Sequence, residues 1–196
     1  MLRRASLAIL SLSLFVVGLG QRHLPADAPL PGGSLYHLDT GWTDHRGQAF
    51  DLADLRGAPV LVTMIYADCQ TACPVLVRDV QRAFASLPPE VQQEVRVLVV
   101  SFDPERDAPE RLARYVEESD LEHPSWRFAV GGSHGTRALA ALLGVRYRPT
   151  GNGMFSHTNL IAVLDAGGTV VHRAEGLGLA VDGTVDAVLN ARPAGP

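Results

Sequence analysis

The chain has 196 residues, 46% of them hydrophobic and 19% charged, which suits one domain with a short appendage and a core that needs no cross-links. Its formal net charge is -4, and its 17 Lys and Arg residues form no basic block. That balance argues against nucleic acid as a partner.

The N-terminus has the layout of a targeting segment. Arg3 and Arg4 make a positive start, and residues 5–20 are apolar and uncharged, ending in Gly18-Leu19-Gly20. A cleaved signal peptide or a short membrane anchor fits residues 1–20 better than a buried helix, because no polar face interrupts the run. Either fate places the rest of the chain outside the cytoplasm, and in an uncleaved anchor the two arginines would hold the N-terminus inside it. Residues 21–33, rich in Pro, Ala and Gly, read as a linker. The main domain is expected to span 34–196.

From Ser34 the pattern is mixed α/β. Leu35 to Leu38 and Gln48 to Leu52 read as short strands of an N-terminal β-hairpin around the polar turn 43–47. Pro59 to Tyr66 is a continuous apolar run, expected of a strand covered on both faces. Leu76, Val80, Phe84 and Leu87 then share one helical face over Pro74 to Leu87. Val95 to Phe102 is a second buried strand, followed by a helix over Pro109 to Glu118. A short strand covers Trp126 to Val130, and a helix over His134 to Leu143 closes at Gly144. Leu160 to Leu164 and Thr169 to His172 form a hairpin around the turn 165–168, and Val181 to Asn190 is the last helix. This order implies a mostly parallel sheet between helices, with an antiparallel hairpin at the end, and is compatible with a thioredoxin-like fold.

The two cysteines stand close together, as Cys69 and Cys73. A structural disulfide spreads its partners to close a large loop; this pair closes almost nothing, so chemistry is the better reading. Pro74 marks the first turn of a helix that directly follows a buried strand. Thiols at a helix N-terminus are acidified by the helix dipole, and one turn brings both sulfurs to one side. Thioredoxin-type redox sites have two residues between their cysteines, whereas Gln70, Thr71 and Ala72 stand here, a wider bite that suits a soft metal ion. A local disulfide or two buried apolar thiols are the plainer alternatives. Two thiolates leave most metals short of ligands. Of seven histidines, most are expected at the surface; His157 stands out, in the Gly-rich loop 151–157 just before the strand that should face the cysteine helix. Met154, in the same loop, is a soft atom too, but a lone Met more often fills a gap. Asp103 and Asp107 are expected to cap the helix beginning near Pro109, with Arg106 in a surface ion pair.

Four ordered blocks carry a family resemblance. Residues 65–74, IYADCQTACP, resemble the Sco/SenC signature C-x-x-x-C-P after a buried strand. Residues 101–112, SFDPERDAPERL, resemble its second block. Trp126-Arg127-Phe128 with Gly131 resembles the third, and Ser156-His157 occupies the place of the family's metal histidine. The resemblance runs from Leu35 to Ala191. It departs at Gln70-Thr71, where Pro-Asp is usual, and at Ser156, where an aspartate is usual; both positions adjoin ligands and can tune affinity or potential. The resemblance implies a thioredoxin-like metallochaperone that binds cuprous or cupric copper through Cys69, Cys73 and His157. It further implies a periplasmic copper donor, and help in assembling the dicopper CuA centre in subunit II of cytochrome c oxidase, by copper delivery or by cysteine reduction.

The main alternative is a thiol–disulfide reductase that uses Cys69 and Cys73 as a redox pair and does not need His157. A thiol peroxidase would need Ser or Thr three positions before its reactive cysteine; Tyr66 and Gln70 stand there instead. A copper sensor or store stays open.

Overall fold

The computed structural model describes residues 29–193. The targeting segment 1–20 and most of the linker lie outside the described residues. Among the described residues no helix is long and apolar enough to cross a membrane.

The centre is a sheet of seven strands: β1 (Trp42–Asp44), β2 (Ala49–Phe50), β3 (Val60–Ile65), β4 (Arg96–Ser101), β5 (Trp126–Gly131), β8 (Leu160–Leu164) and β9 (Val170–Glu175), in the order β2-β1-β5-β4-β3-β8-β9. A separate hairpin pairs β6 (Tyr147–Gly151) with β7 (Met154–His157). Among the described residues four α-helices lie between strands, α1 (Ala72–Ala85), α2 (Pro89–Gln92), α3 (Pro109–Glu118) and α4 (Ser133–Leu143), and α5 (Asp182–Asn190) follows β9. The architecture is thus the expected α/β thioredoxin-like one, with the N-terminal hairpin β1–β2 added to the sheet edge beside β5.

All six residues of β3 are buried, as the unbroken apolar run predicts for a strand between two neighbours and under helices on both faces. The crossovers β3–α1–β4 and β4–α3–β5 step the same way across the sheet, so the usual handedness puts α1 and α3 on one face. The packing agrees: Phe84 of α1 meets Trp126, and Tyr115 of α3 meets Phe128, two β5 residues of the same parity.

Four expectations are corrected. Leu35–His37 is a 3-10 turn rather than a strand: Ser34 Oγ accepts the Tyr36 N–H and donates to the Gly167 carbonyl, and Leu35 and Tyr36 are both buried where a strand would alternate. The first strand of the hairpin is instead Trp42–Asp44. The expected strand 48–52 stops at Phe50, because Asp51 and Asp54 form a capping box that starts a 3-10 turn over Leu52–Leu55. The sheet is mixed rather than mostly parallel, since only β3–β4 and β4–β5 run parallel. And the Gly-rich loop is the β6–β7 hairpin. Its turn is Asn152-Gly153, both at positive φ (54° and 72°), the residue pair that a two-residue hairpin turn favours.

The sheet topology places the site. β8 runs antiparallel to β3, with Thr63 opposite Ile161, so the start of β8 lies beside the end of β3. The buried Thr63 hydroxyl donates to the Leu160 carbonyl at 2.7 Å and pins that junction. At the other end of β8, Gly168 (φ 84°) turns the chain into β9, with the Tyr36 ring and Ser34 hydroxyl against its Cα.

A Cβ at Gly168 would lie 2.6 Å from the Tyr36 ring, whereas one at Gly47 (φ 75°) would meet nothing within 4 Å. Gly47→Ala is expected to cost about 1 kcal/mol from backbone strain alone. Gly168→Ala is expected to cost about 3 kcal/mol, because strain and overpacking add. Urea midpoints of the two variants check this; equal losses would show that the contact with Tyr36 is slack.

Candidate metal centre

β3 delivers the chain into a tight loop, with the Cys69 N–H bonded to the Tyr66 carbonyl, and α1 starts three residues after Cys69. No side chain caps the helix at Thr71. The sulfur of Cys69 takes that place, accepting the Cys73 N–H at 3.2 Å. Cys73, in the first turn of α1, faces His157, whose Nε2 lies 3.7 Å from its sulfur. The three ligand atoms lie within 4.8 Å of one another, with both cysteines buried and the histidine half-buried. Among the described residues no other cluster of His, Cys, Asp and Glu is close enough to hold a metal. The structure therefore brings together Cys69, Cys73 and His157, the residues singled out in the sequence.

The histidine is oriented as well as placed. Its Nδ1 lies 3.2 Å from the Thr158 carbonyl oxygen, which can only accept. In neutral imidazole the proton then sits on Nδ1, and the Nε2 lone pair turns toward the sulfurs, the usual arrangement behind a metal-ligating histidine. An aromatic wall surrounds the ring: Phe102 at 5.1 Å and Tyr66 at 6.1 Å, with Tyr147 stacked on Phe102 and Phe155 packed edge-on to it. These rings shield that side of the cluster from water.

The two thiols are in unequal environments. Burial works against the Cys69 thiolate, but the N–H groups of Cys73, Thr71 and Ala72 and the Cys73 thiol outweigh it, so the Cys69 pKa falls below the ordinary thiol value. This is the effect expected of a helix N-terminus. Cys73 departs from that expectation: burial pushes its thiol well above the ordinary value, and the charge and hydrogen bond of Cys69 push the same way. A helix N-terminus with a single capping sulfur acidifies the residue that caps it, not the one inside the turn.

Behind the site lies a brace whose role the sequence did not announce. Asp107, 1% exposed, was expected to cap α3; the cap position is Ala108, with no side-chain bond. Asp107 instead accepts the Ala67 N–H at 2.9 Å and the Ser101 hydroxyl at 2.6 Å, fixing the stretch that leads into Cys69. Asp103 pairs with Arg106 as well as accepting nothing for a cap, and Arg106 reaches on to the Gly153 carbonyl at 2.6 Å and lies over the Phe155 ring. Residues 103–107 thus tie the cysteine loop to the hairpin that carries His157. The second block of the family resemblance was the only sign of this. Of the other histidines, His45 is buried rather than at the surface, its Nδ1 accepting the Phe128 N–H. His172 lies away from the cluster, near Thr184.

Iodoacetamide at neutral pH is expected to label Cys69 at least about tenfold faster than Cys73, because only Cys69 has an acidified thiol. Its labelling rate should rise with pH to a midpoint below that of an ordinary thiol. Peptide mapping by mass spectrometry reads both rates; equal labelling would contradict the asymmetry.

Comparison with known proteins gives the same picture. A Stutzerimonas stutzeri protein named for copper binding is 23% identical over 131 residues, covering 65% of this chain and 63% of that one. The chain thus spans somewhat less than two thirds of that relative. The structure of Bradyrhizobium japonicum ScoI with copper bound matches with a TM-score of 0.60 at 25% identity, over 78% of this chain and 94% of that one. BsSco, described as a member of the Sco family of cytochrome c oxidase assembly proteins, matches in fold with a TM-score of 0.68 at 21% identity, over 77% of this chain and 90% of that one. Residues 37–181 match the SCO1/SenC family model, a span that holds both cysteines, the brace and His157, and the chain belongs to that family.

Proposed function

We propose that the protein binds copper through Cys69, Cys73 and His157 and serves the assembly of the dicopper CuA centre in subunit II of cytochrome c oxidase. The observation that carries this reading is the buried cluster itself, with two sulfurs and an imidazole nitrogen within 4.8 Å. The donor set fits the ion. Thiolates are soft and select cuprous copper, and the added imidazole also accommodates cupric copper. Copper is cargo here, taken from a donor protein and released to a client. Cys69 presents the more acidic thiol; each cysteine gives up its proton when the ion replaces it; Thr158 holds the ring of His157 so that Nε2 meets the ion without reorientation.

A second reading is favoured by one observation, the contrast between an acidified Cys69 and a buried, weakly acidic Cys73. A thiol–disulfide exchanger needs such a pair, one sulfur to attack and one held back to resolve the mixed disulfide. The protein would then reduce the client's cysteines before copper arrives, and both activities can share one site.

His157→Ala separates the two. Two thiolates hold cuprous copper in near-linear geometry without help, whereas cupric copper prefers more ligands. The variant is expected to lose cupric affinity by about tenfold or more and to lose or shift its thiolate-to-copper charge-transfer colour. Its exchange of disulfides should persist. In a strain lacking the gene and grown on limiting copper, wild type should restore oxidase activity and His157→Ala should not. Full restoration by the variant would make the reductase the better reading.

For location, the proposal is the periplasmic side of the inner membrane, resting on Arg3, Arg4 and the apolar run 5–20. An alkaline phosphatase fusion after Gly33 should be active outside the cytoplasm. An inactive fusion retained in the cytoplasm would refute this placement.

A further inference from the structure

The chain has three methionines, Met1, Met64 and Met154. Met64, in β3, is 1% exposed and fills the core as methionines usually do. Met154 does not: it is 42% exposed, at the tip of the β6–β7 hairpin, directly after the Asn152-Gly153 turn and opposite Gly151, which has no side chain to cover it. Gap-filling therefore does not explain it. Its sulfur accepts a hydrogen bond from the Tyr66 hydroxyl at 3.8 Å, and the Tyr66 backbone carbonyl accepts the Cys69 N–H at 3.2 Å. Tyr66 thus links an exposed soft sulfur to the turn that carries Cys69. The tip is held there by Arg106, which grips the Gly153 carbonyl while it pairs with Asp103.

The cluster has an access problem that this arrangement answers. Cys73 is 0% exposed and Cys69 3%, so little of either residue faces an ion arriving on another molecule. Ligand exchange at cuprous copper needs a new ligand to engage as the old one leaves, and thioether sulfur is a ligand type that this ion accepts. We propose that Met154 Sδ is an outer landing ligand for cuprous ion, which passes it beside the Tyr66 hydroxyl to the Cys69 sulfur. This rests on the copper reading above. The transfer moves no electrons and copper stays cuprous. The bond to Met154 Sδ breaks as the bond to Cys69 Sγ forms, and the Tyr66 hydroxyl keeps its proton. Cys73 then binds through its sulfur, and the proton that each thiol loses on binding the ion leaves to water. The role of Met154 is one of rate, since the final ligands are unchanged.

The test uses the full-length reduced protein under anaerobic conditions, with cuprous ion offered as its bicinchoninate complex. Met154→Leu keeps the size and apolarity of an exposed side chain and removes only the sulfur. Stopped-flow uptake by this variant is expected to be about tenfold slower than by wild type. Its cuprous affinity at equilibrium, measured by competition with the same chelator, should agree with wild type to within about twofold. A direct readout uses methyl-13C methionine labelling of the Cys69→Ser, Cys73→Ser double variant. Added cuprous ion should shift the Met154 methyl resonance, identified by its loss in Met154→Leu, and leave that of Met64 in place. An unchanged uptake rate in Met154→Leu, or a Met154 methyl that does not respond, overturns the proposal. An equilibrium affinity that falls as far as the rate also overturns it, because Met154 would then be a permanent ligand. Wild-type protein that takes no cuprous ion from the chelator would instead refute the copper reading itself.

Discussion

The centre depends on one piece of strand pairing. Cys73 and His157 are 84 residues apart in sequence, yet their ligand atoms lie 3.7 Å apart. They meet because β8 runs antiparallel to β3, so the residues just before β8 arrive where β3 releases the chain into the cysteine loop. The Thr63 hydroxyl on the Leu160 carbonyl holds this register at the end nearest the site, within a buried strand where an unpaired carbonyl would be costly. A one-residue slip of β8 would turn its side chains to the opposite face and carry His157 away from the sulfurs.

The residues around the ligands divide the work of holding them. Asp107 fixes the approach to Cys69 through a backbone N–H, so it sets the loop without competing for an ion. Arg106 fixes the hairpin through a backbone carbonyl in the same indirect way. On the far side of α1, Asp79 bonds to Arg82 and accepts the Gly178 N–H, tying the loop after β9 to the cysteine helix. Each buried carboxylate is matched to donors, which limits the desolvation cost of placing charge near a thiolate.

Much of this was legible in the residues. The long, mainly apolar runs identified β3 and β4, and the helical face from Leu76 to Phe84 identified α1, because burial on both sides of a strand and on one side of a helix leaves those patterns. The ligands were legible because cysteines before a proline at a strand end, and a histidine beside a later strand, are uncommon without a reason. The β6–β7 hairpin was not read as such, although Asn152-Gly153 is a strong turn signal. Its strands are largely exposed, so they carry no apolar alternation to frame the turn. The 3-10 turn at Leu35–His37 is hard to tell from a strand for a related reason: three apolar-rich residues look alike in a short strand and a buried turn. The role of Asp107 could not be read locally, since its partner Ala67 lies 40 residues earlier. The unequal thiols depend on which sulfur receives the helix N–H groups, a matter of loop geometry rather than residue type.

The anchoring of the 3-10 turn has a directional consequence. Ser34 bonds to Gly167, and the Leu35 N–H to the Gly168 carbonyl, so the chain enters the domain beside the β8–β9 turn. His157 lies just before the opposite end of β8, five strand residues away. At about 3.3 Å per residue, the strand alone separates entry point and ligand by about 16 Å. The domain therefore has two poles, one where residues 29–34 enter and one that offers the sulfurs. A molecule that reaches the sulfurs therefore does so at the pole away from residues 29–34.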